Sequence, residues 1–196
     1  MAQLWTVAQW RRWSQRGRAS IDSRWFSSLS GEMAKKYKIA TFGAGCFWGV
    51  ESAFRGVEGV VDAAAGYAGG TVPTPNYRAV CSGKTGHAEV VQVEYDPARV
   101  SYEQLLEVFW QVHDPTTLNR QGPDVGTQYR SIIFYSDEHE RIAAEESKRR
   151  LEESGKLARP IVTQIVPAAE FYRAEEHHQR YNERRGIAPS CGIHAR

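Results

Sequence analysis

The sequence predicts an α/β or α+β layer sandwich in one domain. Strand-like and helix-like hydrophobic periods alternate along it, the helical stretches carry their own start and stop residues, and no segment repeats another. In chain order, Lys36 to Phe42 reads as a short apolar strand. Phe47, Val50 and Phe54 recur at helical spacing, so a helix follows at once. Val60 to Tyr67 is a strand of small residues, and the Gly- and Pro-bearing run from Gly69 to Asn76 is a loop. Val90 to Tyr95 alternates as a strand does. Ser101 and Gln104 stand at capping-box spacing and open a helix whose apolar positions Leu105, Val108, Phe109 and Val112 keep helical period until Asp114-Pro115 stops it. A polar loop extends to about Tyr129. Ser131 to Tyr135, rich in Ile and aromatics, is a strand, and Asp137 caps a long charged helix that Gly155 ends. Ile161 to Val166 is a last strand, and Gly186 to Gly192 has the composition of a mobile tail.

At 196 residues and 41% hydrophobic content, the chain fits one domain with an added terminus and buries a core without staples. Three cysteines, an odd number in no metal-like pairing, indicate a reducing compartment in which thiols do chemistry. No apolar run approaches a membrane span. The formal charge of +2 hides an asymmetry. Residues 1–36 hold seven Lys/Arg against Asp22 and Glu32, which leaves 18 of the 25 basic and 21 of the 23 acidic residues for the rest. This leader also carries Trp5, Trp10, Trp13 and Trp25, with serines and no clear period. Arg-rich and acid-poor, it resembles an organelle transit sequence; Met33-Ala34-Lys35-Lys36 reads equally well as the true start, which would make the upstream residues mis-assigned or a disordered extension. In either case residues 1–35 are expected outside the fold, and residues 36–196 are expected to form the single folded domain. Nucleic-acid binding would rest on the basic leader alone, which is too thin a basis.

The run Thr41-Phe42-Gly43-Ala44-Gly45-Cys46-Phe47-Trp48-Gly49 is the most informative stretch. It sets Cys46 where a strand turns into a helix, among the unpaired N–H groups of a first helical turn, whose partial positive charge favours the thiolate. Phe47 and Trp48 point in different directions from a helix, so one serves the core and the other is available to a pocket. A second constellation is Cys81-Ser82-Gly83-Lys84-Thr85-Gly86-His87-Ala88-Glu89, a turn entering a strand. If Glu89 begins that strand, His87 and Glu89 project to one face; the plainer reading is a solvated strand edge. Tyr77 lies in the Pro-bearing loop, and Asp124 and Tyr129 in the polar loop, where sites are built on a rigid sheet. Cys191, in a Gly/Ser/Pro tail, is suited to reach another sulfur.

Gly45-Cys46-Phe47-Trp48-Gly49, Gly66-Tyr67-Ala68-Gly69-Gly70, the run from Tyr77 to Glu89, His113-Asp114-Pro115 and Gly126-Thr127-Gln128-Tyr129-Arg130-Ser131 together resemble the peptide methionine sulfoxide reductases of the A class. The similarity covers about Lys36 to Cys191 in the same order and leaves out the leader. It implies a two-layer α/β (α+β) sandwich of the ferredoxin-like kind, with a mixed sheet, flanking helices and a long coil C-terminal tail. It implies that Cys46 attacks the sulfoxide sulfur with the substrate methyl against Phe47 and Trp48. Glu89 is then the acid, Tyr77 and Tyr129 donate hydroxyls to the sulfoxide oxygen, and Asp124 belongs to the same binding site. A sulfoxide oxygen leaves poorly until protonated, so a neutral carboxylic acid beside it lowers the barrier, and an apolar pocket raises a carboxyl pKa toward that form. Aromatic walls suit a methyl group on a polarisable sulfur.

The products implied are methionine and a Cys46 sulfenic acid, which a second thiol condenses into a disulfide. The family pattern puts that resolving thiol in the C-terminal tail, where Cys191 matches. With no cysteine after it, thioredoxin would attack the Cys46–Cys191 bond directly, and Cys81 is left as a structural thiol. The resemblance further implies no metal or organic cofactor. The substrate is the S epimer of methionine sulfoxide, free or in proteins, in repair of oxidative damage. No nucleic-acid or membrane partner is expected, the chain is expected to be a monomer, and its place is the cytoplasm unless the leader directs it to an organelle. The strongest rival is a cysteine hydrolase or amidotransferase with Cys46 as nucleophile, His87 as base and Glu89 as orienter, which has no use for Cys191. A metal or sensor module of Cys46, Cys81, His87 and Cys191 lacks metal-like spacing. His177-His178 reads as a polar helix face.

Overall fold

The structure, a computed structural model, describes residues 37–188. Its centre is a βαββαβ unit made of β1 (Lys38–Ala44), α1 (Phe47–Arg55), β2 (Val60–Ala68), β3 (Ala88–Tyr95), α3 (Tyr102–Val112) and β6 (Ser131–Tyr135). A short α2 (Tyr77–Cys81) interrupts the β2–β3 connection, and β4 (Arg120–Gln121) with β5 (Asp124–Val125) forms a small hairpin before β6. After α4 (Glu138–Glu153) come β7 (Gln164–Pro167), β8 (Tyr172–Arg173) and the short α5 (Tyr181–Arg184). The six-stranded sheet runs β7-β6-β1-β3-β2-β8, and only the β6–β7 pair is parallel. The inner order β6-β1-β3-β2 is what two βαβ crossovers give when each leaves room for a strand of the other, the ferredoxin-like arrangement.

The strands read from sequence are present with shifted ends. β1 runs two residues further than expected, to Ala44, because Thr41 to Ala44 pair with Ser131 to Phe134 of β6. β3 begins at Ala88, so Glu89 lies inside the ladder opposite Tyr67. The expected strand at Ile161 starts only at Gln164, because Ile161 is spent on the core and Val162 N–H bonds to Pro115 O. Tyr77 is helical where a loop was expected: Asn76 caps α2 by accepting from Ala79 N–H at 2.9 Å, a local signal that the prolines before it obscured.

One face of the sheet carries the helices. Ala40, Phe42 and Ala44 of β1 and Val91, Val93 and Tyr95 of β3 point that way, and Phe42 stacks on Phe54 of α1 (5.1 Å) and meets Phe109 of α3 at a tilt (5.4 Å). The other face holds a smaller cluster of Ala68, Ala88, Val90, Ile132 and Phe134, covered by Val166 and Phe171. Both caps expected of the long helices form: Ser101 and Gln104 bond reciprocally at α3, and Asp137 accepts from Glu140 N–H at α4. His113, buried just after α3, donates from Nδ1 to Phe109 O at 2.8 Å. Its Nε2 therefore accepts from the Ser131 hydroxyl at 2.7 Å, and Ser131 accepts from Thr163. Burial lowers its pKa to about 4, so it stays neutral and ties the end of α3 to β6. No helix among the described residues is long and apolar enough to cross a membrane.

Candidate active site

Cys46 is the N-cap of α1, held between β1 and the helix by Gly45 at φ +91°. A side chain at 45 would be strained there, and its Cβ would meet Gln121 at 2.7 Å. The backbone N–H groups of Trp48 and Gly49 at the helix start favour the charged form of the sulfur, although Cys46 makes no cap hydrogen bond of its own. They do not prevail. Burial first, then the charges of Glu89 and Asp124, push the thiol up to about 12, so the resting group is a thiol, a correction to the expected thiolate. Local geometry supplies two donors; the tertiary fold supplies the desolvation and the carboxylates that outweigh them.

Glu89 reaches from β3 to the same helix end. Its Oε2 accepts from Phe47 N–H at 3.1 Å, the side chain is buried, and Oε1 has no partner among the described residues. Burial raises its pKa to about 7 against the pull of the Phe47 N–H, with Asp124 adding to the rise. A carboxyl there is protonated in a sizeable fraction at neutral pH. Tyr129, on a 3-10 turn (Thr127–Tyr129), is pushed up to about 12 by burial and then by Glu89, Cys81, Asp124 and Cys46, which places its hydroxyl among those groups. Asp124 shares a cavity with Cys46, Gly49, Val50 and Gln121. Tyr77 donates its backbone N–H to Glu175 at 2.9 Å. Burial and the neighbouring Cys81 thiol raise its hydroxyl pKa, with Glu89 and Tyr129 adding to the effect. The structure therefore gathers Cys46, Glu89, Asp124, Tyr77 and Tyr129 at one helix end.

The two aromatics divide as their helix positions require. Phe47 is wholly buried against Tyr67, Tyr77 and His178, while Trp48 stays half-buried. The His177-His178 pair is corrected: it lies in a 3-10 turn, and only His177 is exposed. His178 is buried, accepts at Nδ1 from Trp48 Nε1–H at 3.1 Å, and packs on Tyr77 at 4.3 Å. Tyr181 stacks flat on the same indole at 3.7 Å. Glu175 also went unseen in the sequence; besides Tyr77 N–H it accepts from Tyr67 OH at 2.9 Å. One signal was available for this segment: Glu51 sits on the apolar stripe of α1 with Phe47, Val50 and Phe54. An acid there needs a buried partner, and both its oxygens take Arg180 N–H, at 3.0 and 2.8 Å.

His87 does not join Glu89. Its Nδ1 accepts from Gly70 N–H at 3.1 Å and its Nε2 donates to Val72 O at 2.8 Å, with Tyr172 edge-on to the ring. With both nitrogens engaged it cannot serve Cys46 as a base, so the hydrolase triad is not assembled. Among the described residues no three His, Cys, Asp or Glu side chains are placed to hold a metal ion. Cys191 lies outside the described residues.

Comparison with known proteins agrees with this geometry. The family model described as peptide methionine sulfoxide reductase matches residues 38–196. A peptide methionine sulfoxide reductase MsrA of Methanothermobacter thermautotrophicus is 63% identical over 149 residues, covering 76% of this chain and 88% of that one. The crystal structure of reduced Mxr1 from Saccharomyces cerevisiae is similar with a TM-score of 0.74 at 37% identity, over 81% of this chain and 91% of that one. Mxr1 solved in complex with Trx2 is similar at a TM-score of 0.54 and 28% identity, over 74% and 86% of the two chains.

Proposed function

The chain belongs to the peptide methionine sulfoxide reductase family, and from that premise we propose that it reduces the S epimer of methionine sulfoxide, free or in proteins, through Cys46. The thiolate attacks the sulfoxide sulfur while Glu89 delivers a proton to the oxygen and Tyr77 and Tyr129 hydrogen-bond to it. The substrate methyl sits against the Phe47–Trp48 wall, and Asp124 lines the same pocket. In balance, the Cys46 thiol gains the oxygen as a sulfenic acid and methionine leaves. The Cys191 thiol then condenses with the sulfenic acid to a disulfide and water, and a thioredoxin dithiol reduces that disulfide and is itself oxidised. Cys81 takes no part. Residues 36–196 form the catalytic unit, working as a monomer in a compartment that supplies reduced thioredoxin.

The observation that carries this reading is the carboxyl of Glu89: buried, half-neutral near pH 7, one oxygen fixed by Phe47 N–H and the other without a partner among the described residues, its charge felt at Cys46. A proton donor so placed is what breaking an S–O bond needs. The test is a single turnover of pre-reduced protein with an S-sulfoxide peptide, followed by mapping of the thiols. Methionine in near-equal amount to enzyme, together with a Cys46–Cys191 disulfide, supports the cycle. Cys46→Ser forms no methionine, and Cys191→Ser forms one equivalent but is not recycled by thioredoxin. Full thioredoxin-driven turnover by Cys191→Ser removes the resolving role.

A further inference from the structure

The cavity around Cys46 and Asp124 does not end there. A second one, lined by His113, Asp114, Thr117, Arg120 and Arg159, shares Val112, Gln121 and Gly122 with it, so the two make one groove. Gln121 marks the junction: its stem fills the space a Gly45 side chain would need, and its Oε1 accepts from Asp114 N–H at 3.2 Å. Charge changes sign along the groove. At the catalytic end stands Asp124, and behind Cys46 the charge of Glu89, when ionised, adds to it. At the other end, Arg120 donates to Gly122 O at 2.9 Å, and Arg159, whose side chain is 61% exposed, pairs with Asp114 at 3.2 Å. Asp114 gives its remaining oxygen to the N–H and hydroxyl of Thr116, and buried His113 is neutral. Two guanidinium groups against one carboxylate leave that end positive.

Resting on the reductase reading above, we propose that this groove seats the polypeptide flanking the methionine sulfoxide and favours an acidic residue two or three positions from it on one side. A free amino acid needs only the first cavity. An extended chain advances roughly 3.3–3.6 Å per residue, so two or three residues carry it roughly 7–11 Å, the step from the first cavity into the adjoining one that we assign to the acidic neighbour. The carboxylates at the near end repel an acidic side chain and the arginines at the far end attract it, which orients the peptide. Exposed charge pairs of this kind change binding by roughly two- to fivefold each, and salt weakens them.

The test uses isomeric methionine sulfoxide peptides bearing Asp or Lys at the second and third positions before or after the sulfoxide. The readout is the Asp-to-Lys ratio of kcat/KM for each form of the full-length enzyme, so that a general loss of activity cancels. In one direction the ratio is expected near fivefold at low salt, falling toward one in high salt; Arg120→Glu inverts it, and Arg159→Gln reduces it. A wild-type ratio near one in both directions overturns the proposal, as does a preference that survives Arg120→Glu. Arginine variants that alter recycling by thioredoxin while the peptide ratio stands would assign these charges to the reductant and also overturn it. If neither these peptides nor free methionine sulfoxide is reduced, it is the reductase reading that fails.

Discussion

The pairing of Cys46 with Glu89 makes a prediction about pH that neither group alone would make. The proposed first step needs a thiolate and a carboxylic acid at once, which is one proton shared between the two. With the thiol at about 12 and the carboxyl at about 7, the pair holds that one proton throughout the interval between them, mostly on sulfur. The arrangement with the proton on Glu89 is then a small minority of the pair, no rarer than roughly one in 10⁵ and costing at most about 7 kcal/mol, because the Glu89 charge that helps hold the thiol up is absent when Glu89 carries the proton; its share does not change with pH across the interval. Below about 7 a second proton binds and the share drops about tenfold per pH unit. Because kcat/KM reports the free enzyme, the single-turnover constant measured from about pH 5.5 to about pH 9.5 rises to a plateau beginning near 7. In Glu89→Gln no acid is present and only the thiolate fraction counts. Its far slower rate climbs about tenfold per pH unit with no plateau at 7, toward a thiol pKa that is lower than in wild type because a neighbouring negative charge is gone. A wild-type rate that falls above pH 7, or a Glu89→Gln profile that is flat, refutes the shared-proton argument.

The same carboxyl bears on stability. Its folded pKa is raised from 4.5 to about 7, so its contribution is fully present below 4.5 and is lost as pH rises through 7, about 3 kcal/mol in all. Glu89→Gln is accordingly expected to melt above wild type at pH 8, with the gap closing toward acid, as calorimetry at both pH values checks. Gly66→Ala would set a Cβ 2.3 Å from the Phe171 ring and 2.6 Å from Tyr172 O, forcing β8 outward. A loss of about 1–3 kcal/mol in urea unfolding is expected. His178→Leu leaves the Trp48 indole N–H without its acceptor, whereas His178→Asn retains one near Nδ1. The Leu variant is expected to lose about 1–3 kcal/mol of stability and to raise KM for a sulfoxide peptide, with Asn recovering most of both.

How much of this was legible depends on how local each cause is. The capping box at Ser101, the Asp137 cap and the strand–turn–helix around Cys46 were readable because their partners lie within four residues of one another. β3 read well because its apolar residues alternate, yet its first residues were missed, since Glu89 in the ladder is polar and buried for a reason 42 residues away. The segment after β7 was largely opaque. Glu175, His178, Gln179 and Tyr181 take their places from Tyr67, Trp48, Ala65 and Trp48 again, partners more than a hundred residues earlier for which period and propensity hold no signal.

The sequence by itself determined the family and the layered fold and singled out Cys46 as the candidate nucleophile, because ordered motifs, hydrophobic period and turn chemistry are properties of neighbours along the chain. Only the tertiary structure decided the chemical state of the site. It took His87 out of contention by engaging both ring nitrogens, put Glu89 against the first N–H of α1, and set a half-buried Cys46 near two carboxylates so that it rests as a thiol. The reason is physical: a pKa is set by desolvation and by charges within a few ångströms, and in this fold those charges arrive from β3 and the β4–β5 hairpin, far from Cys46 in sequence.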